Sequence, residues 1–197
     1  VHIDIVDYPG EWLLELGLLD QSYAEWSAAA LDRARGRPGG DDYVALVAGV
    51  DPTVKLDEPE AQVLAERFTA HLQDARAAGF SDCSPGRFLL PGDLAGSPVL
   101  TFAPLPDAKF PRGSLGREFE RRFESYKRNI VRPFFRDHFA KIDRQVVLVD
   151  VLGAIHAGPA ALDDLRGAMA RILGDGLKRF CLPRPKPTIC ITASTRN

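Results

Sequence analysis

One apolar segment limits the possible folds of this chain more than any other. Residues 146–152 read Val-Val-Leu-Val-Asp-Val-Leu, which is rich in β-branched side chains and does not alternate with polar ones. Such a run is typical of a strand covered on both faces, as in parallel sheets. Residues 1–6 alternate between apolar and polar side chains and predict another strand. Long helical stripes separate the two, so the sequence predicts an α/β fold with a mainly parallel sheet.

The helices are predicted from apolar residues that recur at spacings of three and four. Such stripes occur at residues 12–30, 57–79, 115–134 and 160–173. Trp12 and Trp26 lie on the first stripe and are expected to be core residues and not a base-stacking platform, and Pro59 indicates the first turn of the second helix. Pro133 lies near the end of the third stripe and is expected to kink that helix, because proline cannot donate the next helical hydrogen bond.

The segment 81–111 is dense in proline and glycine. It predicts irregular structure with one or two short strands, at the apolar runs 87–90 and 98–102. Together with the preceding helix, it forms a region of about residues 40–111 that we interpret as an insertion into the sheet-forming part of the chain.

Composition excludes several classes of function. A formal net charge of −2 and a pI near 6.1 give no broad electropositive surface, so no nucleic-acid partner is expected. No run approaches the roughly 20 apolar residues that a helix needs to cross a bilayer, which predicts a cytoplasmic protein. The three cysteines form no C-x-x-C pair and the four histidines are scattered, so neither a zinc site nor a disulfide framework is expected.

The segment with the clearest chemistry is Asp7-Tyr8-Pro9-Gly10, which follows the first predicted strand and precedes the first predicted helix. An acid at the end of a buried strand suits Mg²⁺, since a hard cation prefers carboxylate oxygens. A glycine three residues later lets the backbone approach a phosphate and donate an N–H. The D-x-x-G spacing also describes an ordinary turn, and spacing alone favours the turn.

Four segments of the chain resemble the YcjX-like family of bacterial P-loop NTPases. The first reads V-H-I-D-I-V-D-Y-P-G-E-W-L-L at residues 1–14. The others are P-G-R-F-L-L-P-G-D at 85–93, P-F-F-R-D-H-F at 133–139, and D-R-Q-V-V-L-V-D-V-L at 143–152, followed by Gly158-Pro159. These segments occur in the family's order, from residue 1 to about residue 178.

The resemblance implies a GTPase-like fold, of which residues 1–178 form a partial P-loop NTPase domain. It also implies that Asp7 to Gly10 are a switch motif that senses Mg²⁺ and the γ-phosphate of GTP or ATP. Asp7 would assist the metal, through water, and Gly10 would contact the phosphate, with Pro9 beside it.

Three further residues have two interpretations each. Glu11 is a candidate to place the attacking water, or else stabilises the first helical turn through the helix dipole. Arg136 is a candidate to stabilise transition-state charge, or else belongs to an ion-paired helix end. Asp150 either caps the apolar strand or faces the nucleotide edge of the sheet.

Two departures from the family pattern bear on activity. The family carries G-x-x-x-x-G-K-[S/T] before its switch motif and Thr-Lys-Ala-Asp after a later strand, and neither occurs here. The chain begins with Val1 inside a predicted strand, so we expect further sequence before it and little or no activity from this part alone. The tail 179–197 is atypical for the family, and one hypothesis is that a frameshift after Gly174 produced it.

Two classes of function are therefore carried forward. In the first, the complete protein is a Mg²⁺-dependent switch that binds and hydrolyses GTP or ATP. In the second, the chain is a non-catalytic scaffold domain or an inactive fragment. The family resemblance also suggests a role in stress and a membrane-associated protein partner. Loss of sheet neighbours predicts that the isolated chain self-associates.

Overall fold

The computed structural model describes residues 7, 9–106, 109–137, 144–179 and 186–192. A 3-10 helix at Gly10–Asp20, called here the N-terminal 3-10 helix, comes first. The α-helices are α1 Tyr23–Ala34, α2 Gly40–Ala48, α3 Glu58–Ala77, α4 Gly86–Leu89, α5 Leu115–Tyr126, α6 Arg132–Asp137, α7 Val151–Ala157 and α8 Pro159–Arg179. The strands are β1 Arg144–Asp150 and β2 Lys186–Thr192. The predicted strand at 1–6, Tyr8 of the D-x-x-G motif and residues 180–185 and 193–197 of the tail lie outside the described residues.

The stripe predicted as a single helix over residues 12–30 is two helices. The chain is extended at Gln21, and α1 restarts after Ser22. The Ser22 hydroxyl accepts a hydrogen bond from the Glu25 amide at 3.2 Å, and the Glu25 carboxylate accepts one from the Ser22 amide at 2.8 Å. This capping box satisfies two amides that would otherwise lack partners, and it fixes where α1 begins.

Aromatic side chains fill the larger of two hydrophobic cores, which α1, α3 and α5 surround. Trp26 of α1 is fully buried, as predicted, and its ring stacks on Phe123 of α5 with centroids 4.9 Å apart. Phe68 of α3 and Phe102 meet the same indole edge-on at 5.9 and 5.5 Å. We call this packed unit, from α1 to α5, the helical region.

The segment 81–111 differs from its prediction, because neither expected strand forms. Residues 86–89 are the short helix α4, and residues 98–100 are a single 3-10 turn. Pro98 begins that turn, and the Ser97 hydroxyl accepts a hydrogen bond from the Val99 amide at 3.4 Å. Capping and proline therefore determine the local structure of residues 98–100, although the run 98–102 is apolar enough for a strand.

The long helix predicted at 115–134 is interrupted before Pro133. A π turn at Lys127–Val131 separates α5 from α6. Proline has no N–H and its ring collides with the carbonyl group four residues earlier, so the regular hydrogen-bond ladder must change in the preceding turn. The sequence thus predicted the disturbance, and the structure places it over the five residues 127–131.

Strands β1 and β2 pair in parallel, with Arg144 opposite Lys186 and Asp150 opposite Thr192. The predicted strand at 146–152 is shifted, because residues 151 and 152 already belong to α7. The chain is mostly helical, and this pair forms the sheet found within the described residues. The mainly parallel sheet expected from the sequence therefore stays a prediction.

A second, smaller core lies between β1, α8 and the N-terminal 3-10 helix. Val147 and Val149 of β1 pack there with Leu165 of α8 and with Leu13. The alternate side chains of β1, Val146 and Leu148, are exposed. One face of the strand is thus buried and the other is open, whereas the uninterrupted apolar sequence predicted that both would be covered.

A buried ion pair joins α8 to the loop that follows α1. The Asp164 side chain is 7% exposed, and one of its oxygens accepts a hydrogen bond from Arg37 at 2.5 Å. Its other oxygen accepts the amides of Ser81 and Asp82 at 2.7 and 2.9 Å. Asp164 thereby connects three separate segments of the chain.

The neighbouring carboxylate, Asp82, is also buried and ion-paired. Arg33 lies 3.3 Å from it, and Arg171 of α8 contacts the same oxygen. Burial by itself would raise the pKa of Asp82, but the two guanidinium groups and the Ser84 hydroxyl outweigh it and hold that pKa below its usual value. The carboxylate is therefore charged at neutral pH.

His71 of α3 is a titratable group inside the helical region, with 4% of its surface exposed. Its Nδ1 atom lies 3.0 Å from the carbonyl oxygen of Pro38, and its ring stacks on Tyr43 with centroids 6.2 Å apart. Burial lowers the pKa of His71 below its usual value, although the Pro38 carbonyl acts in the opposite direction.

We expect the chain to lose stability as the pH falls below about 6.5, because the unfolded chain binds a proton that folded His71 resists. The slope from this residue should be at most about 1.4 kcal/mol per pH unit. Urea unfolding at about pH 7.5 and about pH 5.5 measures this change in the free energy of unfolding. The His71→Gln variant should lack the part of the change that His71 contributes. His156→Gln, which alters an exposed residue on α7, is the control. An unchanged pH slope in His71→Gln would contradict the prediction.

No helix among the described residues is both long and apolar enough to span a membrane.

Candidate functional site

The residues of the D-x-x-G motif lead directly into the N-terminal 3-10 helix. Asp7 is exposed, and Pro9 is extended, with φ −58° and ψ 128°. Gly10 is the exposed first residue of the helix, and the Trp12 amide donates to the Pro9 carbonyl at 3.0 Å. Pro9 is the N-cap residue, and its side chain has no group that could accept a hydrogen bond from the first amides. Helix starts of this kind are common sites of anion binding.

Within the part of the chain that the structure describes, nothing requires glycine at position 10. A Cβ atom built there would meet no described heavy atom within 4 Å, and the φ of Gly10 lies outside the positive range that favours glycine. Gly86 of α4 is different, because its Cβ would lie 2.6 Å from the carbonyl oxygen of Glu11. Packing therefore requires glycine at position 86, whereas the space beside Gly10 is open.

Glu11 is held by the helical region. It lies in the first turn of the N-terminal 3-10 helix and forms an ion pair with Arg76 near the end of α3. A carboxylate in a first helical turn also interacts favourably with the helix dipole. The structure thus gives Glu11 a positional role, and its proposed part in placing water stays a prediction.

The most buried charged residue of the same helix is Glu15, which is inaccessible to solvent. Its carboxylate accepts hydrogen bonds from the Arg87 amide at 2.9 Å and from the Tyr126 hydroxyl at 2.5 Å, and it pairs with the Arg87 guanidinium. Burial raises the pKa of Glu15, while the guanidinium and the hydroxyl act in the opposite direction. We call Glu15, Arg87 and Tyr126 the Glu15 cluster.

Aromatic rings complete the surroundings of Arg87. Its guanidinium carbon lies 4.1 Å from the ring centroid of Trp12 and 5.0 Å from that of Phe134. The two rings meet edge-on, with centroids 5.2 Å apart. Trp12 is therefore a packing residue, as predicted. Its ring is engaged by Arg87 and Phe134 and does not form an open platform for a base.

Two other predicted site residues lie on separate elements. Arg136 is exposed on α6, two residues after Phe134. Asp150 ends β1, and its carboxylate accepts a hydrogen bond from the Gly153 amide at 2.8 Å, which caps α7. Asp150 therefore caps the following helix and not the strand that it ends. Nucleotide contacts by Arg136 and Asp150 stay predictions.

The described residues contain no group of three or more His, Cys, Asp or Glu side chains that could hold a metal. Asp7 is exposed three residues before the first helical residue, a position that suits a carboxylate holding a water ligand of a Mg²⁺ ion bound mainly by phosphate and water. This donor set fits a nucleotide-bound Mg²⁺ and does not fit a metal caged by protein.

Sequence reasoning missed the residues that hold the motif in place, namely Arg76, Glu15 and Arg87. For two of these residues, the sequence contained a sign that they are paired. Glu15 interrupts the apolar run Trp12–Leu16, and Arg87 precedes the apolar run Phe88–Leu90. A charged residue within an apolar segment is almost never fully buried unless it is paired. The partner of each one, however, is distant in sequence.

Comparison with known proteins supports the relationship suggested by the motifs. The family model of YcjX-like proteins, DUF463, matches residues 1–176. A protein of Escherichia coli (strain K12) named Ras-like GTPase YcjX is 35% identical in an alignment 184 residues long, which covers 88% of this chain and 40% of that protein. A protein of the same name from Shewanella oneidensis is 34% identical in an alignment 186 residues long, which covers 88% of this chain and 38% of that protein.

The chain thus spans about two fifths of the length of these curated relatives. The match covers the D-x-x-G motif and all of the helical region. On the extent of this match, the chain belongs to the YcjX-like family.

Proposed function

We propose that the full-length product of the gene encoding this chain is a GTP-binding switch, in which Asp7 to Gly10 respond to Mg²⁺ and to the γ-phosphate. The relatives carry the name Ras-like GTPase, which favours GTP over ATP. The GTPase-like fold, with a mainly parallel sheet, is part of the same proposal.

The observation that carries the proposal is the exposed position of Gly10 at the first residue of the N-terminal 3-10 helix, three residues after the motif's aspartate and with open space beside it. Gly17 also has open space beside it, but it lies within the helix and not at its start. Among the described residues, neither packing nor backbone conformation demands glycine at position 10. An external group that must approach the backbone closely supplies a reason for it, and a γ-phosphate accepting the Gly10 amide is such a group. Pro9, at the N-cap position, has no side-chain acceptor that would compete with an anion for the first amides.

Asp7 supplies the metal-facing carboxylate of the proposal. When bound, Mg²⁺ would neutralise charge on the β- and γ-phosphates. Asp7 would hold a water ligand of the metal, which suits its exposed position ahead of the helix. Glu11 keeps the first turn in place through its ion pair with Arg76.

Titration of the full-length gene product with a fluorescent GTP analogue tests the proposal. We expect Mg²⁺-dependent binding, and we expect Asp7→Ala to weaken it about 10- to 100-fold, as for the loss of one charge-assisted contact. Asp93→Ala, which removes an exposed aspartate from another Pro- and Gly-containing turn, is the matched control and should bind normally.

Two outcomes would contradict the proposal. If the full-length product binds neither GTP nor ATP, the D-x-x-G motif is a structural turn, and the scaffold function is favoured. If Asp7→Ala and Asp93→Ala both bind like the wild type, Asp7 has no part in metal or nucleotide binding. The same titration with an ATP analogue tests the choice of base.

A further inference from the structure

The N-terminal 3-10 helix lies between the two hydrophobic cores. Leu13 belongs to the small core beneath β1, and Leu18 belongs to the aromatic core of the helical region. The Gly10–Asp20 helix has 11 residues, whereas 3-10 helices longer than three or four residues are uncommon and often mark a hinge. The segment that follows the D-x-x-G motif therefore contacts both parts of the molecule through an unusual helix.

The 3-10 geometry aligns one row of side chains toward the helical region. With three residues per turn, positions three apart are eclipsed, so Trp12, Glu15 and Leu18 form a straight row. All three make contacts there: Trp12 with Arg87, Glu15 with Arg87 and Tyr126, and Leu18 within the aromatic core. In an α-helix, with 3.6 residues per turn, the same positions would be rotated away from one line.

Arg87 binds this row at two of its three positions. Its amide and its guanidinium both donate to Glu15, and its guanidinium also lies over the Trp12 ring. Gly86, immediately before it, contacts the Glu11 backbone so closely that no side chain would fit. Residues 86 and 87 of α4 are thus in direct contact with the segment that begins at Gly10.

We propose that Arg87 is a positioning residue that couples the switch motif to the helical region through Glu15, an inference that rests on the proposed GTP-binding function. Nucleotide state biases the conformation of the segment after Gly10, and the row of Trp12 and Glu15 transmits that bias to α4. Because coupling is reciprocal, a partner that holds the helical region in one arrangement changes nucleotide affinity by the same factor.

Hydrogen exchange on the full-length gene product, loaded with GDP or with a non-hydrolysable GTP analogue, tests the coupling. In the wild type, we expect the nucleotide to change exchange rates in residues 10–20 and in residues 86–89, the latter by about five-fold or more. In the paired variant Glu15→Leu with Arg87→Met, residues 10–20 should still respond, and the response at 86–89 should disappear.

The paired substitution separates coupling from stability. Replacing both members of a buried ion pair by apolar residues of similar size is often neutral for stability, whereas removing one member is not. A purely structural role would therefore be rescued in the paired variant, and its nucleotide response would remain. Glu120→Leu with Arg117→Met, which removes the exposed pair on α5, is the matched control and should respond like the wild type.

Three outcomes would overturn the inference while leaving GTP binding intact: no response at 86–89 in the wild type, a full response there in the paired variant, or an equal loss in the control pair. A protein that fails to bind nucleotide at all would instead refute the proposed function.

If the paired variant does not fold, Tyr126→Phe is the alternative, because it removes one donor to Glu15 and keeps the ion pair. It should weaken the response at 86–89, and an unchanged response would overturn the coupling.

Discussion

Replacing Gly10 by alanine should lower GTP hydrolysis by the full-length gene product about 10²- to 10³-fold, the usual effect of losing one backbone donor to developing charge. The physical reason is local. A Cβ atom at position 10 would project into open space in the free protein, so it costs nothing internally. It would, however, occupy the volume that the γ-phosphate needs in order to reach the Gly10 amide.

In Gly10→Ala, GTP hydrolysis should therefore fall while the stability of the fold does not. We expect its unfolding midpoint in urea to stay within experimental error of the wild type or to rise slightly, because alanine reduces the entropy of the unfolded chain. Gly17→Ala is the control: this residue lies in the same 3-10 helix, and its Cβ would also meet no atom within 4 Å. The Gly17 variant should keep both activity and stability. Equal activity loss in the two variants would contradict a phosphate contact at Gly10.

Replacing Asp164 by alanine should lower the free energy of unfolding by about 3–5 kcal/mol, as expected when one member of a buried ion pair is removed. Arg37, with a side chain only 9% exposed, would lose its charged partner. The amides of Ser81 and Asp82 would lose their acceptor at the same time. Urea unfolding of this chain, followed by circular dichroism, measures the change.

The adjacent residue provides a matched control for Asp164. Asp163 carries the same carboxylate on the same helix, but it is 72% exposed and pairs with Arg166, which is 77% exposed. Exposed pairs contribute at most about 1 kcal/mol, so Asp163→Ala should be nearly neutral. Similar losses in the two variants would mean that the charge of α8, and not the buried contact of Asp164, determines stability.

Much of the local structure could be predicted from the sequence. The stripes of apolar residues located α3 and α8, and Pro59 correctly marked the first turn of α3. The D-x-x-G motif was located at the start of a helix, and Trp26 was assigned to the core, where it is fully buried. Each of these predictions depends on residues that are close in sequence, because helix periodicity and proline geometry are local properties of the chain.

Other features were wrong because a local cap or helix start overrode an apolar pattern. The Ser22–Glu25 capping box divided one predicted helix into two. The runs at 87–90 and 98–102 were apolar enough for strands but formed helical turns, in the latter case after the Ser97 cap. The end of β1 moved to Asp150 because that side chain caps α7. The capping residues are visible in the sequence, but the prediction gave more weight to the apolar runs around them.

The buried ion pairs, by contrast, are decided by the tertiary structure. Glu15 and Arg87 are 72 positions apart, and Asp164 and Arg37 are 127 apart. No local propensity relates residues at such separations. The sequence by itself determined most of the long helices, where the D-x-x-G motif lies and which family the chain resembles. Which charges are buried together was decided by the packing of α4 and α8 against the helices near the motif. The reason is that a charge remains in the interior only where folding brings its partner within bonding distance.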